Sequence, residues 1–526
     1  MPDSRTQSTA AKPIRAPRGA ALFCQGWQQE AALRLLMNSL DPAVAENPED
    51  LEVSAGVGKL ARDWPAFDAI VNSLTKLSGD ETLLIRSGVP APILKTTPNA
   101  PRVLVVNSSV PSPAPLLAAD EALQPRAARF AADWTFTGPS TALPEAFAVF
   151  RAAARKHFGG TLAGRLVVSG GMGGLGGAQG LAASLNEAAF LGIDADANRI
   201  KRRLKTGYCE VMVNSLDEAL RILKNAVRKR EPASVGLIAN AAELIPELAR
   251  RGILPDLLTD QTPASDLLAY IPQGLTIAQA ADLRGRDPQG YRERSLDSVA
   301  AQARGLVELK KMGSLVFEFG NGIRAQALSC GVTGAAEIPD FVSEYLQPDL
   351  ASGRGPLTIV ALSGESDDIA KIDALFGYLF PDGDLQKWIA IARRRPSPGL
   401  PARTCWTGAD ETLRLSTAVN ELVSDGKLKA PVVIGRSMYI LRPSQIKISV
   451  PSSASGAHPI VDSPQLDSLL RAASGTAWLG VEQLNAVTNG GAQVIHFAVI
   501  ADGKSTTADN ITRVFTREFL PAFAGL

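Results

Sequence analysis

The sequence predicts an α/β protein built around a parallel, doubly wound sheet, and three observations carry that reading. Strand-length apolar runs alternate with helical segments through the middle of the chain, from residues 165–169 to 315–319. A glycine-rich run follows the first of those strands directly, and an acidic residue closes the next. The length, 526 residues, divides at roughly 150 per domain into three or four units. Such a chain buries enough surface to fold without disulfides or a structural metal.

Charge is balanced, with 54 Lys+Arg against 53 Asp+Glu, so no overall positive field favours nucleic acid or an acidic membrane surface. Apolar runs such as 166–168 and 432–434 are strand-length, far short of the roughly 20 residues of a membrane helix. Cys24, Cys209, Cys330 and Cys405 form no CxxC pair, and His157, His458 and His496 share no ligand spacing. Neither a disulfide framework nor a metal site is therefore expected, and a reducing, cytoplasmic setting fits.

Residues 1–20 are rich in Ala, Ser, Pro and Arg without an apolar stretch, and read as a disordered arm rather than a secretory signal. Residues 27–40 place Ala32, Leu33, Leu36, Met37 and Leu40 at helical spacing before Asp41-Pro42 breaks the pattern. Runs at 83–85 and 102–107 read as buried strands, and the Pro- and Ala-rich stretch 110–124 as a connection. Then come a strand at 165–169, the glycine loop, a helix at 178–191, a strand at 234–240, a helix at 242–251 and strands at 257–260 and 315–319. Beyond Ser343 a second α/β region carries apolar runs at 357–363, 401–406, 431–434 and 493–501.

The strongest chemical signal lies at 170–177, six glycines in eight residues, with GxGxxG at Gly171, Gly173 and Gly176. Glycines allow a tight turn and close approach of a pyrophosphate, and the following helix start offers N–H groups and a positive dipole end. Asp194 lies eighteen residues beyond Gly176, where a second strand ends with a carboxylate for the adenosine ribose. That favours NAD; Arg199 nearby is the residue that would favour a 2′-phosphate instead. The competing reading is a glycine turn that merely lets a helix approach a strand.

The run 170–179, with Asn240-Ala241-Ala242-Glu243, 251–256 and Thr259-Asp260-Gln261-Thr262, resembles the urocanases (urocanate hydratases). So do 37–42 with Ala45-Glu46-Asn47-Pro48, 99–104, 399–406 and 430–436; the resemblance spans about Gln25 to about Phe497. It implies a homodimer whose core domain is formed by both chain ends, with an inserted Rossmann-like NAD-binding domain. The implied boundaries are 1–20 for the arm, 21–138 and 345–526 for the core, and 139–344 for the insert. It further implies tightly bound NAD⁺ acting as an electrophile rather than a hydride carrier, and a hydratase acting on an imidazole acrylate. Cofactor positions carried over are Gly174, Leu175 and Gly176 at the phosphates and Asp194 and Arg199 at the adenosine. The others are Asn240, Ala241, Gln261, Thr262, Ala264, Ser265, Tyr270 and Ile271. Cys405 occupies the family's active-site cysteine in Arg403-Thr404-Cys405-Trp406. Beside Arg403 a thiol is expected to have a lowered pKa and act as acid, base or polar contact to the substrate, against the commoner fate of a buried packing residue.

Around the substrate the sequence departs from the family. Tyr-Gly-Gly is Ser54-Ala55-Gly56, the tyrosine before the Gly-Asn turn is Phe319, the aspartate after Gly-Arg is Ser437, and a His-His-Gly-Gly-Gly run is 482–486. A histidine after Gln261-Thr262 is lost at Ser265, and the arginines of one loop are replaced by Arg354 in 352–356. Ser54 and Phe319 are read as substrate contacts, with Arg354 gripping the carboxylate and Arg436 or Arg442 as its rivals. A site rebuilt in this way rejects its old substrate steeply. The larger, less polar pocket suits S-methyl thiourocanate, from ergothioneine breakdown, ahead of thiourocanate, ordinary urocanate of histidine breakdown, or a catalytically dead NAD-binding paralogue.

Overall fold

The protein was analysed as a computed structural model that describes residues 13–54, 58–107, 130–135, 138–381, 384–394, 397–440, 464–483 and 493–516. The first part of the chain holds β1 (Glu52–Ser54), β2 (Gly58–Lys59), β3 (Glu81–Arg86), β4 (Val89–Pro90), β5 (Leu94–Lys95) and β6 (Val103–Asn107). The middle holds β7 (Leu166–Gly170), β8 (Ala189–Asp194), β9 (Val211–Val213), β10 (Ala233–Ile238), β11 (Leu257–Asp260) and β12 (Leu315–Val316). The last part holds β13 (Gly355–Ala361), β14 (Ala402–Thr407), β15 (Val432–Ile440), β16 (Trp478–Gln483) and β17 (Gln493–Ala501).

The middle strands form one six-stranded sheet in the order β12-β11-β7-β8-β10-β9, with every pairing parallel. Their apolar runs are long because both faces are covered; every residue of β8 is buried. From β7 the chain winds to β8 on one side, whereas β11 lies on the other, so the crevice beyond the ends of β7 and β11 is the topological switch point.

Both chain ends build the second sheet, as the sequence leads one to expect. It runs β14-β13-β15-β17-β16-β6-β3-β4, with β5 paired on β3; parallel β6–β16 and β3–β6 ladders join the first part to the last. Alternation along these strands divides the core. Leu357, Ile359, Cys405, Ile434 and Phe497 face one cluster with Phe319, Phe341 and the helix Pro139–His157. Val360, Val433, Ala498 and Trp478 face another, with Trp134 and the helices Trp27–Ser39 and Trp64–Lys76.

Three expectations are corrected. The helix expected over 178–191 runs only Gln179–Leu185; Asn186 caps it, Glu187 takes a φ of 70°, and Ala189 already opens β8. Alanines suit either state, and sheet burial of Ala188 and Ala189 decides. The strand expected over 315–319 stops at Val316, ahead of the turn in which Gly320 and Gly322 both take a φ of 81°. Residues 13–20 of the expected arm are laid against the core. Arg15 pairs with Asp41 at 3.2 Å, and Arg18 donates to the Gly364 and Gly399 carbonyls at 3.2 and 3.1 Å. The connection read at 110–124 lies outside the described residues. Among the described residues no helix is long and apolar enough to cross a membrane, and no cluster of three or more His, Cys, Asp or Glu is placed to hold a metal.

Candidate functional site

The chemistry-bearing loops of the parallel sheet collect at the carboxyl ends of its strands. The glycine loop leaves β7, Asp194 ends β8, Asn240 follows β10, Gln261 follows β11, and the Gly320–Gly322 turn lies beyond β12. Gly171 holds a φ of 81°, and a Cβ there would stand 2.3 Å from the Gln261 carbonyl; at Gly176 it would stand 2.2 Å from the Gly171 carbonyl. Only hydrogen fits, so these two glycines are what lets the loops beyond β7 and β11 touch.

Asp194 braces this loop. Its carboxylate accepts from the Met172 N–H at 2.7 Å and the Asp196 N–H at 2.8 Å, with Arg199 Nη1 at 3.8 Å. Burial pushes its carboxyl above the ordinary value, and the Arg199 charge opposes that rise. Arg203 adds a second brace, donating to the Met172 carbonyl at 3.0 Å and to Glu46 at 3.3 Å. The segment before β1 is thereby tied to the glycine loop.

Asp260, the last residue of β11, joins the other side. Thr262 Oγ1 and Gln302 Nε2 both donate to it at 2.6 Å, and so does Asn321 Nδ2, which also reaches the Thr262 carbonyl at 2.9 Å. Burial raises the Asp260 carboxyl to about 7 against those hydrogen bonds, which favour its charged form. Tyr270 donates to Gln302 at 2.6 Å, while Asn240 caps the helix Ala241–Arg250 and donates to the Ile271 carbonyl at 3.0 Å. Gln261 Nε2 reaches the Phe319 carbonyl at 2.5 Å. Gly174, Leu175, Gly176, Asn240, Ala241, Gln261, Thr262, Ala264, Ser265, Tyr270 and Ile271 thus line loops at one end of one sheet.

These residues fit a dinucleotide. From Gly170 to Gly177 the loop carries side chains only at Met172 and Leu175, before the helix Gln179–Leu185 begins. Gln179, the first residue of that helix, is 1% exposed, yet among the described residues neither atom of its amide has a partner. One oxygen of Glu46 is likewise buried and unpartnered. Such groups cost about 1–3 kcal/mol each unless a ligand or water satisfies them.

On the core sheet, Cys405 and Arg436 flank Leu357 in one row, and both are buried. The activated thiol expected at Cys405 is corrected. Burial pushes it well above its ordinary value, with Glu411 adding to the rise and Arg436 and Arg403 opposing it. Arg403 is committed elsewhere: it grips Asp373 through Nε at 2.8 Å and Nη2 at 2.7 Å and donates to the Ala392 carbonyl at 2.7 Å. Cys24 and Cys209 are buried and Cys330 partly so, as expected of packing residues.

Arg436 binds the Thr407 and Thr412 hydroxyls, both at 3.0 Å, and the Gly353 carbonyl at 2.8 Å, which pins β13, β14 and the helix Ala409–Ser424 together. Arg354, expected to turn inward, instead meets Glu411 and the Trp406 carbonyl at 3.3 Å each, with its side chain 35% exposed. The Glu411 carboxylate at the first turn of that helix draws it there. Phe319 is buried in an aromatic cluster, stacked on Phe341 at 4.6 Å between centroids. Ser54 ends β1, while Ala55, Gly56 and 484–486 lie outside the described residues.

Family models match nearly the whole chain: the urocanase N-terminal domain at 14–116, the urocanase Rossmann-like domain at 142–345 and the urocanase C-terminal domain at 348–520. The chain belongs to the urocanase family. Its Rossmann-like domain contains β7 to β12 with every loop of the crevice, and its C-terminal domain contains Cys405, Arg436 and Ser437. Within this family member, sequence reading passed over Glu46, Gln179, Asp260, Gln302 and Asn321 as site residues. Gln179 and Asp260 stand inside motifs that were recognised; Gln302 lies in mid-helix and carries no local signal.

Proposed function

We propose that the protein is an NAD⁺-dependent hydratase that adds water to an imidazole acrylate, with S-methyl thiourocanate as its preferred substrate. Family membership supports a hydratase acting on urocanate-like substrates. The observation that supports the cofactor is the glycine loop at the switch point, where Gly171 and Gly176 tolerate no Cβ, backed by the buried Gln179 amide that has no partner among the described residues. Bound NAD⁺ supplies an electron-poor ring that draws density from the substrate imidazole. The chain's own residues orient the two: Asp194 and Arg203 hold the glycine loop, and Asp260 holds the loop opposite.

The substituent is read from the substrate side. Phe319, where the family has a tyrosine, is buried against Phe341 and Phe150 and offers no hydroxyl to the crevice. An apolar wall at this point favours a methylthio group over a ring that must be hydrogen-bonded.

Purified protein is mixed with urocanate, thiourocanate and S-methyl thiourocanate, and ultraviolet loss of the conjugated side chain is followed. The expected order places S-methyl thiourocanate first by at least tenfold in kcat/KM. Faster turnover of urocanate returns the protein to histidine breakdown, and no turnover of any of the three by NAD⁺-loaded protein overturns the enzymatic reading.

A further inference from the structure

We infer that Glu46, carried by the first part of the chain, reads the adenosine ribose of the dinucleotide: it accepts from the 2′-hydroxyl and turns away a 2′-phosphate. The inference rests on the NAD⁺ reading above and deepens it by naming the specificity-determining residue and the segment that delivers it.

Glu46 lies on the stretch between the helix Trp27–Ser39 and β1, and its N–H donates to the Val53 carbonyl at 3.0 Å. The helix Ala197–Thr206 of the Rossmann-like domain grips that stretch. Arg202 donates to the Ala45 and Pro42 carbonyls at 2.9 and 3.0 Å, and Arg203 donates to Glu46 Oε1 at 3.3 Å. So held, the carboxylate lies over the middle glycine of GxGxxG: a Cβ at Gly173 would stand 3.2 Å from Oε1 and 3.4 Å from Oε2. On one side of Gly173 is Met172, whose N–H is bound to Asp194. On the other is Gly174, the first residue that the family resemblance places at the phosphates. Glu46 is therefore set where the adenosine end of the loop meets its phosphate end.

Hydrogen bonds separate the two acids at this point. Both Asp194 oxygens are engaged by backbone, Oδ2 by the Met172 N–H at 2.7 Å and Oδ1 by the Asp196 N–H at 2.8 Å. Glu46 Oε2 is buried on a side chain only 8% exposed, and it has no partner among the described residues. A buried carboxylate oxygen without a donor is costly. A ribose hydroxyl supplies the donor, and a carboxylate is the group with which Rossmann-type sites take the 2′-hydroxyl.

Charge works against a 2′-phosphate. Arg199 is the cation such a phosphate would use, and it is already surrounded by acids. Burial acts to lower its pKa, but Asp194, Glu46, Asp196 and Glu52 together outweigh burial and raise it. A phosphate added to the ribose would share that one guanidinium with four carboxylates, of which Glu46 stands over the glycine loop itself.

The test reads retention, not turnover. Wild type, Glu46→Ala and Glu46→Gln, each emptied of nucleotide, are loaded with equimolar NAD⁺ and NADP⁺, or with NAD⁺ and its analogue lacking the adenosine 2′-hydroxyl. The nucleotides released on denaturation are then quantified. Wild type is expected to prefer NAD⁺ over the deoxy analogue by about tenfold, the scale of one hydrogen bond to a charged group, and over NADP⁺ by about a hundredfold. Glu46→Ala loses both preferences. Glu46→Gln keeps an acceptor without the charge, so it holds part of the first preference and loses the second. A Glu46 that only braces the loop would weaken all three nucleotides alike, and unchanged ratios in the variants overturn the inference while the NAD⁺ reading stands. Glu46→Gln, which conserves shape, decides alone through the NADP⁺ ratio if Glu46→Ala does not fold. Wild type that retains none of the three nucleotides overturns the NAD⁺ reading, and this inference falls with it.

Discussion

Cys405 and Arg436 stand in one row on the same face of the core sheet, each directly opposite Leu357. The thiol's recorded hydrogen bond is a weak one, to the Leu357 carbonyl at 3.8 Å, and the guanidinium spans three elements through neutral oxygens.

The first prediction follows for the thiol. Burial and a raised pKa keep Cys405 from alkylation, so iodoacetamide at pH 8 labels it only after denaturation. Cys405→Ala retains its dinucleotide and turns over within tenfold of wild type, with Cys330→Ala as the control. Rapid labelling of Cys405 in the native protein, with a hundredfold loss of rate in the alanine variant, would restore it to the chemistry.

The two arginines separate by what each holds. Arg436→Leu strips hydrogen bonds from buried Thr407 and Thr412 and lowers the thermal midpoint by several degrees. Arg354→Leu breaks a partly exposed pair worth less than about 1 kcal/mol, so the midpoint stays. Its KM for an acidic substrate rises tenfold or more if Arg354 grips the carboxylate. Unchanged KM in Arg354→Leu would remove it from the site.

Gly176→Ala tests the cradle. The new methyl would meet the Gly171 carbonyl at 2.2 Å and Gln261 Cβ at 2.8 Å, forcing the two loops apart. Denatured variant protein should release less than a tenth of the wild-type dinucleotide while its far-ultraviolet spectrum stays native. Full cofactor content in this variant would contradict the placement of the pyrophosphate.

pH enters through Asp260 and Glu318, both raised to about 7, in each case chiefly by burial. A carboxyl with a raised folded pKa binds more protons folded than unfolded between its two values, here from about 4 to about 7. Stability from these groups is therefore greatest below pH 4 and declines as pH rises to 7. Asp260→Asn removes one such contribution, so the wild-type minus variant difference in unfolding free energy should fall across that window. The variant also loses retention of dinucleotide, because three donors now face an amide. A flat difference from pH 4 to 7 would show that Asp260 titrates as it does in the unfolded chain.

How far the sequence reaches is seen residue by residue. Gly171, Gly176 and Asp194 were legible because a glycine loop and the carboxylate that ends the next strand lie within one βαβ stretch, where spacing along the chain fixes spacing in space. Alternating apolar runs likewise determined the parallel sheet, and motifs scattered from the first residues to the last determined the family. What the tertiary structure decided are the contacts across chain separations that no local pattern encodes. Gln302 reaches Asp260 over 42 residues, and Arg436 reaches Thr407 over 29. Cys405 was legible as a motif, but its charge state was not, since burial by a sheet and the capture of Arg403 by Asp373 set that. His496, Ser437 and Asp133 come from three separate segments: strand register sets Ser437 beside His496 Nδ1, and the segment 130–135 brings Asp133 to the same nitrogen.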